Sequence, residues 1–241
     1  MIRSIILIPL GILITALTSM YCVFSFRFLP EGDRSVHRIA GWWGRTILRL
    51  AKIDVKVIGA ENIINGPQIF MANHQSWFDI FIVLGFVDSQ FRWIAKKELF
   101  KYPFFGKAML RSGYIPIDRK HFVSAMKSIN EAATKVREGT SVMTFPEGTR
   151  SRNGEIQPFK KGVFHLALKS GVPIVPISII GTGEIMAKSS WRVNPGSVTL
   201  IIDKPIQVTD HTPENMEDLM DFVRGVICRN YYGRKPGKAT G

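Results

Sequence analysis

The sequence has few cysteines and few charged residues, and both shortages narrow the classes of protein that it can encode. Its two cysteines, Cys22 and Cys228, lie far apart and form neither a CxxC pair nor a Cys/His metal spacing, so no disulfide framework or zinc site is expected. Charged residues make up only 21% of the 241 residues, against 46% hydrophobic residues. The sequence also lacks GxGxxG and Walker-type glycine loops, so nucleotide hydrolysis and redox cofactors have no support.

Acidic residues are scarce beside basic ones. The 32 lysines and arginines exceed the 19 aspartates and glutamates by 13, which gives a net charge of +13. Such an excess suits either nucleic acid or an anionic membrane surface. The chain carries no nucleic-acid motif and is apolar for so basic a protein, so we expect a membrane surface and no nucleic-acid partner. This length predicts one domain of catalytic size.

An uncharged apolar run extends from residue 4 to residue 26, with Arg3 and Arg27 on its flanks. A helix of this length can cross a hydrocarbon core of about 30 Å. Pro9, Gly11 and several hydroxyl side chains are equally compatible with a segment that lies in one leaflet, so both arrangements stay open. A cleaved signal peptide is not expected, because no small-x-small cleavage site follows the run.

The next segment, residues 34–52, predicts a strongly amphipathic basic helix. Its arginines fall on one narrow stripe and its apolar residues on the opposite side: Arg34, Arg38, Arg45 and Arg49 against Val36, Ile39, Trp43, Ile47 and Leu50. Such a helix suits the headgroup level of a membrane. An ordinary surface helix packed on the core fits the same residues nearly as well. The position directly after an apolar run favours the membrane.

From residue 54 onward, short β-branched runs alternate with segments of helical periodicity. This pattern predicts an α/β fold with a largely parallel sheet flanked by helices. Strands are predicted at 55–58, 68–72, 91–95, 114–117, 141–145, 174–179 and 198–202. A last helix is predicted to begin with Thr212 as its N-cap and Pro213 in its first turn. The expected organisation is a hydrophobic membrane helix at 1–30, a basic amphipathic interfacial helix at 31–53, the α/β domain at 54–232 and a disordered basic tail at 233–241.

A candidate for chemistry follows the strand predicted at 68–72: Asn73-His74-Gln75-Ser76-Trp77-Phe78-Asp79. Active sites of α/β proteins form at such strand ends. If His74 precedes the helix and Asp79 lies in its first turn, Asp79 can accept the ring N–H and leave the other ring nitrogen free to take a proton from a hydroxyl. The same Ser76-x-x-Asp79 spacing is a helix capping box, and this motif alone supports both interpretations about equally.

Two further predicted strand ends carry arginine, in Gly113-Tyr114-Ile115-Pro116-Ile117-Asp118-Arg119 and in Phe145-Pro146-Glu147-Gly148-Thr149-Arg150. A guanidinium group suits bidentate binding of phosphate. Taken alone, each segment is better explained as a solvated charged turn. A third block, Val172-Pro173-Ile174-Val175-Pro176, is apolar and fits either a structural strand or the lining of an acyl-chain site.

In this order, the blocks Asn-His-x-Ser-x-x-Asp, Gly-x-Ile-x-Ile-Asp-Arg, Phe-Pro-Glu-Gly-Thr-Arg and Val-Pro-x-x-Pro resemble the glycerolipid acyltransferases, specifically the 1-acyl-sn-glycerol-3-phosphate acyltransferases. The resemblance covers roughly residues 55–180 and implies an acyltransferase catalytic domain. It implies that His74 is the general base and that Asp79 orients it. The residues that it places around the acceptor phosphate are Arg119, Glu147, Gly148, Thr149 and Arg150.

The resemblance further implies transfer of a fatty acyl group from acyl-CoA or acyl carrier protein to the sn-2 hydroxyl of 1-acyl-glycerol 3-phosphate, which gives phosphatidate without a metal or cofactor. Three alternatives stay open: a different lysophospholipid or lyso-aminolipid acceptor, prior acylation of Ser76, and a non-catalytic lipid-binding membrane protein. We expect a membrane location with the active site facing the cytoplasm, where thioester donors are made, and the inner membrane if the source is bacterial. The arginines that flank the apolar run fit the positive-inside tendency.

Overall fold

A computed structural model describes residues 2–118 and 121–234, and within these ranges seven strands form one sheet. They are β1 (Ile53–Ile58), β2 (Ile69–Ala72), β3 (Phe91–Lys96), β4 (Ile115–Ile117), β5 (Ser141–Thr144), β6 (Ile174–Ile180) and β7 (Gly196–Ile202). Their order in the sheet is β1-β7-β6-β2-β5-β3-β4. Strands β6, β2, β5, β3 and β4 are parallel, whereas β7 is antiparallel to β6 and parallel to β1. The predicted α/β fold with a largely parallel sheet is confirmed.

Helices cover both faces of this sheet. They are α1 (Ile2–Ser25), α2 (Asp33–Leu50), α3 (Phe78–Phe86), α4 (Phe105–Arg111), α5 (Phe122–Arg137), α6 (Lys161–Ser170), α7 (Thr182–Ile185) and α8 (Met216–Arg234). Strand β2 is buried along its whole length, with Phe70 and Ala72 in the core beneath α2 and α3 and with Ile69 and Met71 in the core beneath α5, α6 and α8. The middle of the sheet is therefore shielded from water on both faces.

Helix α1 lies along the α/β domain instead of projecting away from it. Near its start, the Ser4 hydroxyl accepts a hydrogen bond from the Val193 amide at 2.9 Å. Midway, the Trp43 indole of α2 donates to the Thr15 hydroxyl at 3.1 Å. Near its end, Cys22 is buried against side chains of α2 and α4. The domain therefore contacts α1 along one flank for most of its length.

The opposite flank of α1 is apolar and exposed, and its large side chains include Ile5, Ile6, Ile12, Leu13, Leu17 and Phe24. In the part of the chain that the structure describes, the segment Arg3–Phe28 alone has the length and hydropathy of a membrane-crossing helix, with a mean hydropathy of 2.1 and 11% of its most apolar window buried. An apolar surface of this extent is typical of a contact with lipid or with another protein.

The strand predictions are accurate to within two residues at every end, but the last helix begins later than predicted. It begins at Met216, because the Thr212 amide donates to the Asn215 side chain at 2.7 Å and closes a turn before the helix. Thr212 and Pro213 therefore precede the helix. The helix continues through Arg234, two residues into the segment predicted as a tail, and 235–241 lie outside the described residues.

Candidate active site

His74 follows β2 at the carboxyl end of the parallel strands, and the preceding residue fixes the turn. The Asn73 side chain accepts a hydrogen bond from the Ile179 amide at 2.7 Å and donates one to the Ile179 carbonyl at 2.9 Å. Because Ile179 belongs to the neighbouring strand β6, this pair of bonds ties the end of β2 to the sheet. Such an edge of a parallel sheet is where α/β proteins place their active sites.

The structure pairs His74 with Asp79. The Nδ1 atom of His74 lies 2.8 Å from Oδ2 of Asp79, whose side chain is completely buried. The same carboxylate oxygen accepts the backbone amides of Gln75 at 2.7 Å and Ser76 at 2.8 Å, while Oδ1 accepts the Thr182 hydroxyl at 2.5 Å. Surrounding donors compensate for the burial of the carboxylate charge. Asp79 can therefore orient the imidazole as a charged acceptor.

The capping interpretation of Ser76 and Asp79 describes half of what is observed. The Asp79 carboxylate accepts the Ser76 amide at 2.8 Å, as in a capping box, but the Ser76 hydroxyl oxygen accepts the Phe78 amide at 3.3 Å instead of the Asp79 amide, so the reciprocal bond of the box is not formed. The Ser76 hydroxyl donates to the Met186 carbonyl at 2.7 Å and is completely buried. Among the described residues, no hydrogen bond joins Ser76 to His74. The Ser76 hydroxyl is therefore poorly placed to become an activated nucleophile.

The other ring nitrogen of His74, Nε2, is the atom available for proton transfer. The imidazole lies flat on the Phe145 ring, with 3.9 Å between the ring centroids and 4° between the planes. In the described part of the chain, Nε2 has no hydrogen-bond partner, and His74 lines a cavity of about 470 Å³. With Nδ1 bonded to Asp79, the ring can accept a proton only through Nε2.

The cavity is mostly apolar and extends from His74 to helix α1. Apolar side chains from α2, α3, α4 and β3 line it together with polar groups of α1: Val36, Ala40, Trp43, Ile80, Phe81, Leu84, Trp93, Ala95, Phe105, Met109, Thr15 and Ser19. Gly148, Thr149, Arg150 and Lys96 line its mouth beside His74. A cavity with a long apolar wall and cations beside a base fits an amphiphilic substrate with an anionic group.

Glu147 lies beneath the His74 turn and does not face the cavity. Its carboxylate oxygens accept the His74 amide at 2.6 Å and the Gln157 amide at 2.8 Å, and its side chain is 2% exposed. Burial raises the pKa of Glu147 to about 7, and the two amide hydrogen bonds oppose this rise. The structure therefore places the Glu147 carboxylate beneath the turn that carries His74, and the contact with an acceptor phosphate that the family resemblance implies stays a prediction.

The rest of this loop does face the cavity. Gly148 has a φ of 73°, and a side chain at this position would meet Lys160 at 2.9 Å. Thr149 is exposed, and the Arg150 guanidinium lies over the Trp77 ring, 4.5 Å from its centroid. Burial lowers the pKa of Arg150 from its usual value, although the side chain stays partly accessible. The loop thus brings a cation close to His74, as binding of an anionic acceptor requires.

Arg119 lies outside the described residues, and its predicted contact with phosphate stays a prediction. The preceding Asp118 lies 3.7 Å from Lys97. Sequence reasoning missed two residues. Thr182 contacts Asp79, and Lys188 contacts the Thr149 hydroxyl and the Arg150 carbonyl. The only local signal for Thr182 is its position just after β6 and Gly181, at the sheet edge that carries His74. Within the described ranges, no group of three or more His, Cys, Asp or Glu residues could bind a metal.

Comparisons with known proteins agree with this geometry. A model of the acyltransferase family matches residues 54–180. The chloroplastic 1-acyl-sn-glycerol-3-phosphate acyltransferase BAT2 of Brassica napus is 40% identical over 174 residues, which are 70% of this chain and 50% of that protein. The 1-acyl-sn-glycerol-3-phosphate acyltransferase of Salmonella typhimurium is 31% identical over 93% of this chain and 90% of its own. The crystal structure of the 1-acyl-sn-glycerophosphate acyltransferase PlsC from Thermotoga maritima matches with a TM-score of 0.83 at 29% identity, over 98% of this chain and 97% of that one.

The chain spans about half the length of the chloroplastic relatives, 50% of the protein from Brassica napus and 52% of LPAT1 from Arabidopsis thaliana. It spans most of the bacterial relative from Salmonella typhimurium. The family match begins within β1, ends with β6 and contains His74, Asp79 and the Glu147–Arg150 loop. The chain therefore belongs to the acyltransferase family, which includes the 1-acyl-sn-glycerol-3-phosphate acyltransferases.

Proposed function

We propose that the chain is an O-acyltransferase that moves an acyl group from an acyl thioester to the sn-2 hydroxyl of 1-acyl-glycerol 3-phosphate and forms phosphatidate. The observation that carries this proposal is the single apolar cavity that both His74 and Arg150 line, with Nδ1 of His74 already bonded to Asp79. The similarity to 1-acyl-sn-glycerol-3-phosphate acyltransferases from Brassica napus and Salmonella typhimurium supports the same acceptor.

The chemistry follows from the free Nε2 atom. Nε2 of His74 removes the proton of the C2 hydroxyl while that oxygen attacks the thioester carbonyl carbon, and a tetrahedral oxyanion forms. The C–S bond then breaks, the new ester stays on the acceptor, and the leaving thiolate takes the proton from Nε2. Asp79 retains the Nδ1 proton contact and stabilises the imidazolium. A positioned base of this kind contributes about 10²- to 10⁴-fold to the rate.

The polarity of the cavity lining determines where each part of the substrates binds. The acyl chain of the donor occupies the apolar cavity between His74 and helix α1, where its contacts with apolar side chains are favourable. The acceptor phosphate binds Arg150, with Lys96 adding positive charge at the cavity mouth. Acyl-CoA and acyl carrier protein both carry the acyl thioester on a phosphopantetheine group, so either donor can present it to His74.

The membrane contact is made by the exposed flank of α1 and by α2. Because the catalytic domain contacts α1 from Ser4 to Cys22, a helix that crossed the membrane would carry polar parts of the domain into hydrocarbon. We therefore place α1 in one leaflet, with the domain on the cytoplasmic side and the α2 arginines near anionic headgroups.

The orientation of α1 is tested by labelling in vesicles. A cysteine added ahead of Met1, in a Cys22→Ala and Cys228→Ala background, should react with a membrane-impermeant maleimide added outside, as a cysteine at the exposed Arg192 should. Protection of only the terminal cysteine would instead support a spanning helix.

The function is tested with purified protein in phospholipid vesicles, given labelled lysophosphatidate and either acyl-CoA or acyl carrier protein loaded with the same acyl chain. Phosphatidate is expected to form with at least one donor. His74→Ala should lose about 10³-fold or more of kcat, because it removes the positioned base. His165→Ala is the matched control, since His165 lies on α6 and does not line the cavity. A His74→Ala variant with near-wild-type turnover would exclude the mechanism.

The remaining alternatives predict different results in the same assay. Acyl transfer to another lysophospholipid but not to lysophosphatidate would show that the proposed acceptor is wrong. Saturable binding of lysophosphatidate without transfer from either donor would indicate a lipid-binding protein. An acyl label trapped on Ser76 would indicate an acyl-enzyme. This result is not expected, because the Ser76 hydroxyl is buried and donates a hydrogen bond to the Met186 carbonyl.

A further inference from the structure

One segment, Thr182–Lys188, contacts both halves of the proposed site, although it lies more than 100 residues after His74 in the sequence. It begins directly after β6 and contains α7. At its first residue, the Thr182 hydroxyl donates to Oδ1 of Asp79 at 2.5 Å, and both side chains are completely buried. The other oxygen of this carboxylate binds His74. Thr182 therefore fixes the rotation of the carboxylate that orients the catalytic imidazole.

The middle of the segment is fixed from two sides. The Met186 carbonyl accepts the Ser76 hydroxyl at 2.7 Å, which ties the segment to the start of α3. On the other side, the Asn194 amide donates to the Ile185 carbonyl at 2.9 Å, and its side chain donates to the Glu184 carbonyl at 3.0 Å. The segment therefore has little freedom to move independently of α3.

The end of the segment contacts the arginine loop. Lys188 donates to the Thr149 hydroxyl at 3.1 Å and to the Arg150 carbonyl at 2.6 Å. Burial, together with the nearby positive charges of Arg152 and Arg150, lowers the pKa of Lys188. A bound anion reduces the repulsion between the Lys188 ammonium and the neighbouring guanidinium groups, and so stabilises the charged form of Lys188. Binding of a phosphate at Arg150 should therefore tighten the contact between Lys188 and the loop.

We propose that Thr182 and Lys188 are the two positioning residues of this segment, Thr182 for the base and Lys188 for the loop that binds the acceptor phosphate. This inference rests on the proposed acyl transfer. The two residues act on different kinetic constants. Loss of the Thr182 hydroxyl leaves the cavity and its cations intact and disturbs only Asp79 and His74. Loss of the Lys188 ammonium leaves the catalytic pair intact and loosens the loop that carries Arg150.

Steady-state kinetics with lysophosphatidate as the varied substrate tests the division. Thr182→Val, which keeps the side-chain volume, should lower kcat about 10- to 100-fold, the scale of one hydrogen bond to a charged group, and should leave the acceptor KM within about threefold. Thr182→Ser restores the hydroxyl and should recover most of the kcat. Lys188→Met should raise the acceptor KM about tenfold with kcat within about threefold, and Lys188→Arg should recover part of the affinity.

Matched controls separate positioning from general loss of the fold. Thr209→Val and Lys204→Met change exposed residues away from the segment and should leave both constants unchanged. Each variant's melting temperature shows whether it is folded under the assay conditions. The inference is wrong if Thr182→Val and Thr182→Ser behave alike, or if Lys188→Met lowers kcat and leaves KM unchanged.

The inference and the proposed function fail in different ways. A wild-type protein that transfers no acyl group to lysophosphatidate contradicts the proposed acceptor, whatever the variants do. If wild type transfers to a different acceptor, the Thr182 comparison is made with that acceptor, because the hydroxyl contacts the base and not the substrate. If wild type transfers to lysophosphatidate and the variants show no division between kcat and KM, only the inference fails.

Discussion

The imidazole of His74 and the phenyl ring of Phe145 are stacked almost in parallel, with 3.9 Å between centroids and 4° between planes. His74 follows β2 and Phe145 follows the neighbouring strand β5, so the contact joins two blocks of the site across the sheet. Hydrogen bonding by Asp79 fixes one edge of the imidazole, and stacking on Phe145 fixes its plane. The base is thus restrained in two independent ways before substrate binds.

Phe145→Leu tests the second restraint. Leucine keeps an apolar side chain but removes the flat surface, so the imidazole can tilt, and we expect kcat to fall about 10-fold as alignment of the base is lost. Phe159→Leu is the control, because Phe159 is a buried phenylalanine of the opposite core that does not line the cavity. The test is to measure kcat of both variants by steady-state kinetics, at a temperature at which both are folded. Equal losses of kcat in the two would show that stacking has no special role.

Asp79→Asn tests the first restraint. The asparagine oxygen can still accept the three N–H groups, but it carries no negative charge, and the amide NH2 then replaces the oxygen that accepts the Thr182 hydroxyl. In the comparable serine protease triad, the same change costs about 10⁴-fold in kcat, and we expect a loss of about 10³-fold or more here. Unfolding measurements should also show a less stable protein, because the buried N–H groups lose a charged acceptor and the buried Thr182 hydroxyl loses its acceptor. Wild-type kcat in this variant would show that Asp79 only caps the helix.

Much of this site could be predicted from the sequence because its motifs lie at strand ends. His74 and the Phe145–Arg150 block both follow short apolar strands, and parallel strands bring their carboxyl ends to one edge. The two amide hydrogen bonds of Glu147 could not be predicted, since they join residues that are far apart in sequence or lie across a loop. Only the fold shows that its oxygens accept the His74 and Gln157 amides.

Thr182 and the start of α8 were missed for a different physical reason. The contact of Thr182 with Asp79 depends on the order of strands, which places β6 beside β2, and periodicity along the chain carries no information on that order. At α8, Thr212 and Pro213 form a typical N-terminal signal, but the Asn215 side chain accepts the Thr212 amide and satisfies it before the helix begins.

Glu147 should make the protein less stable as pH rises. Its pKa is about 7 in the fold against a usual 4.5, so between these values the folded state binds more protons than the unfolded state. Stability linked to this group is therefore present at low pH and is lost as pH rises through that window, by about 1.4 kcal/mol per pKa unit of difference. The free energy of unfolding of wild type and Glu147→Gln, measured from pH 4.5 to 7.5, should differ increasingly in favour of the variant as pH rises. A constant difference would contradict the raised pKa.

His37 should act in the opposite direction. Its ring is buried between α2 and the sheet, with Nδ1 3.2 Å from the Tyr114 hydroxyl and its edge against Phe91. Burial, aided by the positive charge of Arg92, lowers the pKa of His37 to about 4 from a usual 6.5. The unfolded state therefore binds more protons between these values, and stability linked to His37 is present above pH 6.5 and is lost as pH falls toward 4.

Between about pH 4.5 and 6.5, Glu147 lowers the free energy of unfolding as pH rises whereas His37 raises it, so the two effects offset each other in the wild type. A wild-type stability curve alone therefore hides both groups, and differences between variants are required. His37→Phe removes the titrating ring but keeps an aromatic side chain, so its unfolding free energy relative to wild type should rise as pH falls from 6.5 to 4.5. The half-exposed His165 provides the control, since His165→Phe should show no such trend. If His37→Phe and His165→Phe follow wild type in parallel, His37 is not held neutral by burial, and the interface between α2 and the sheet tolerates a charged imidazole.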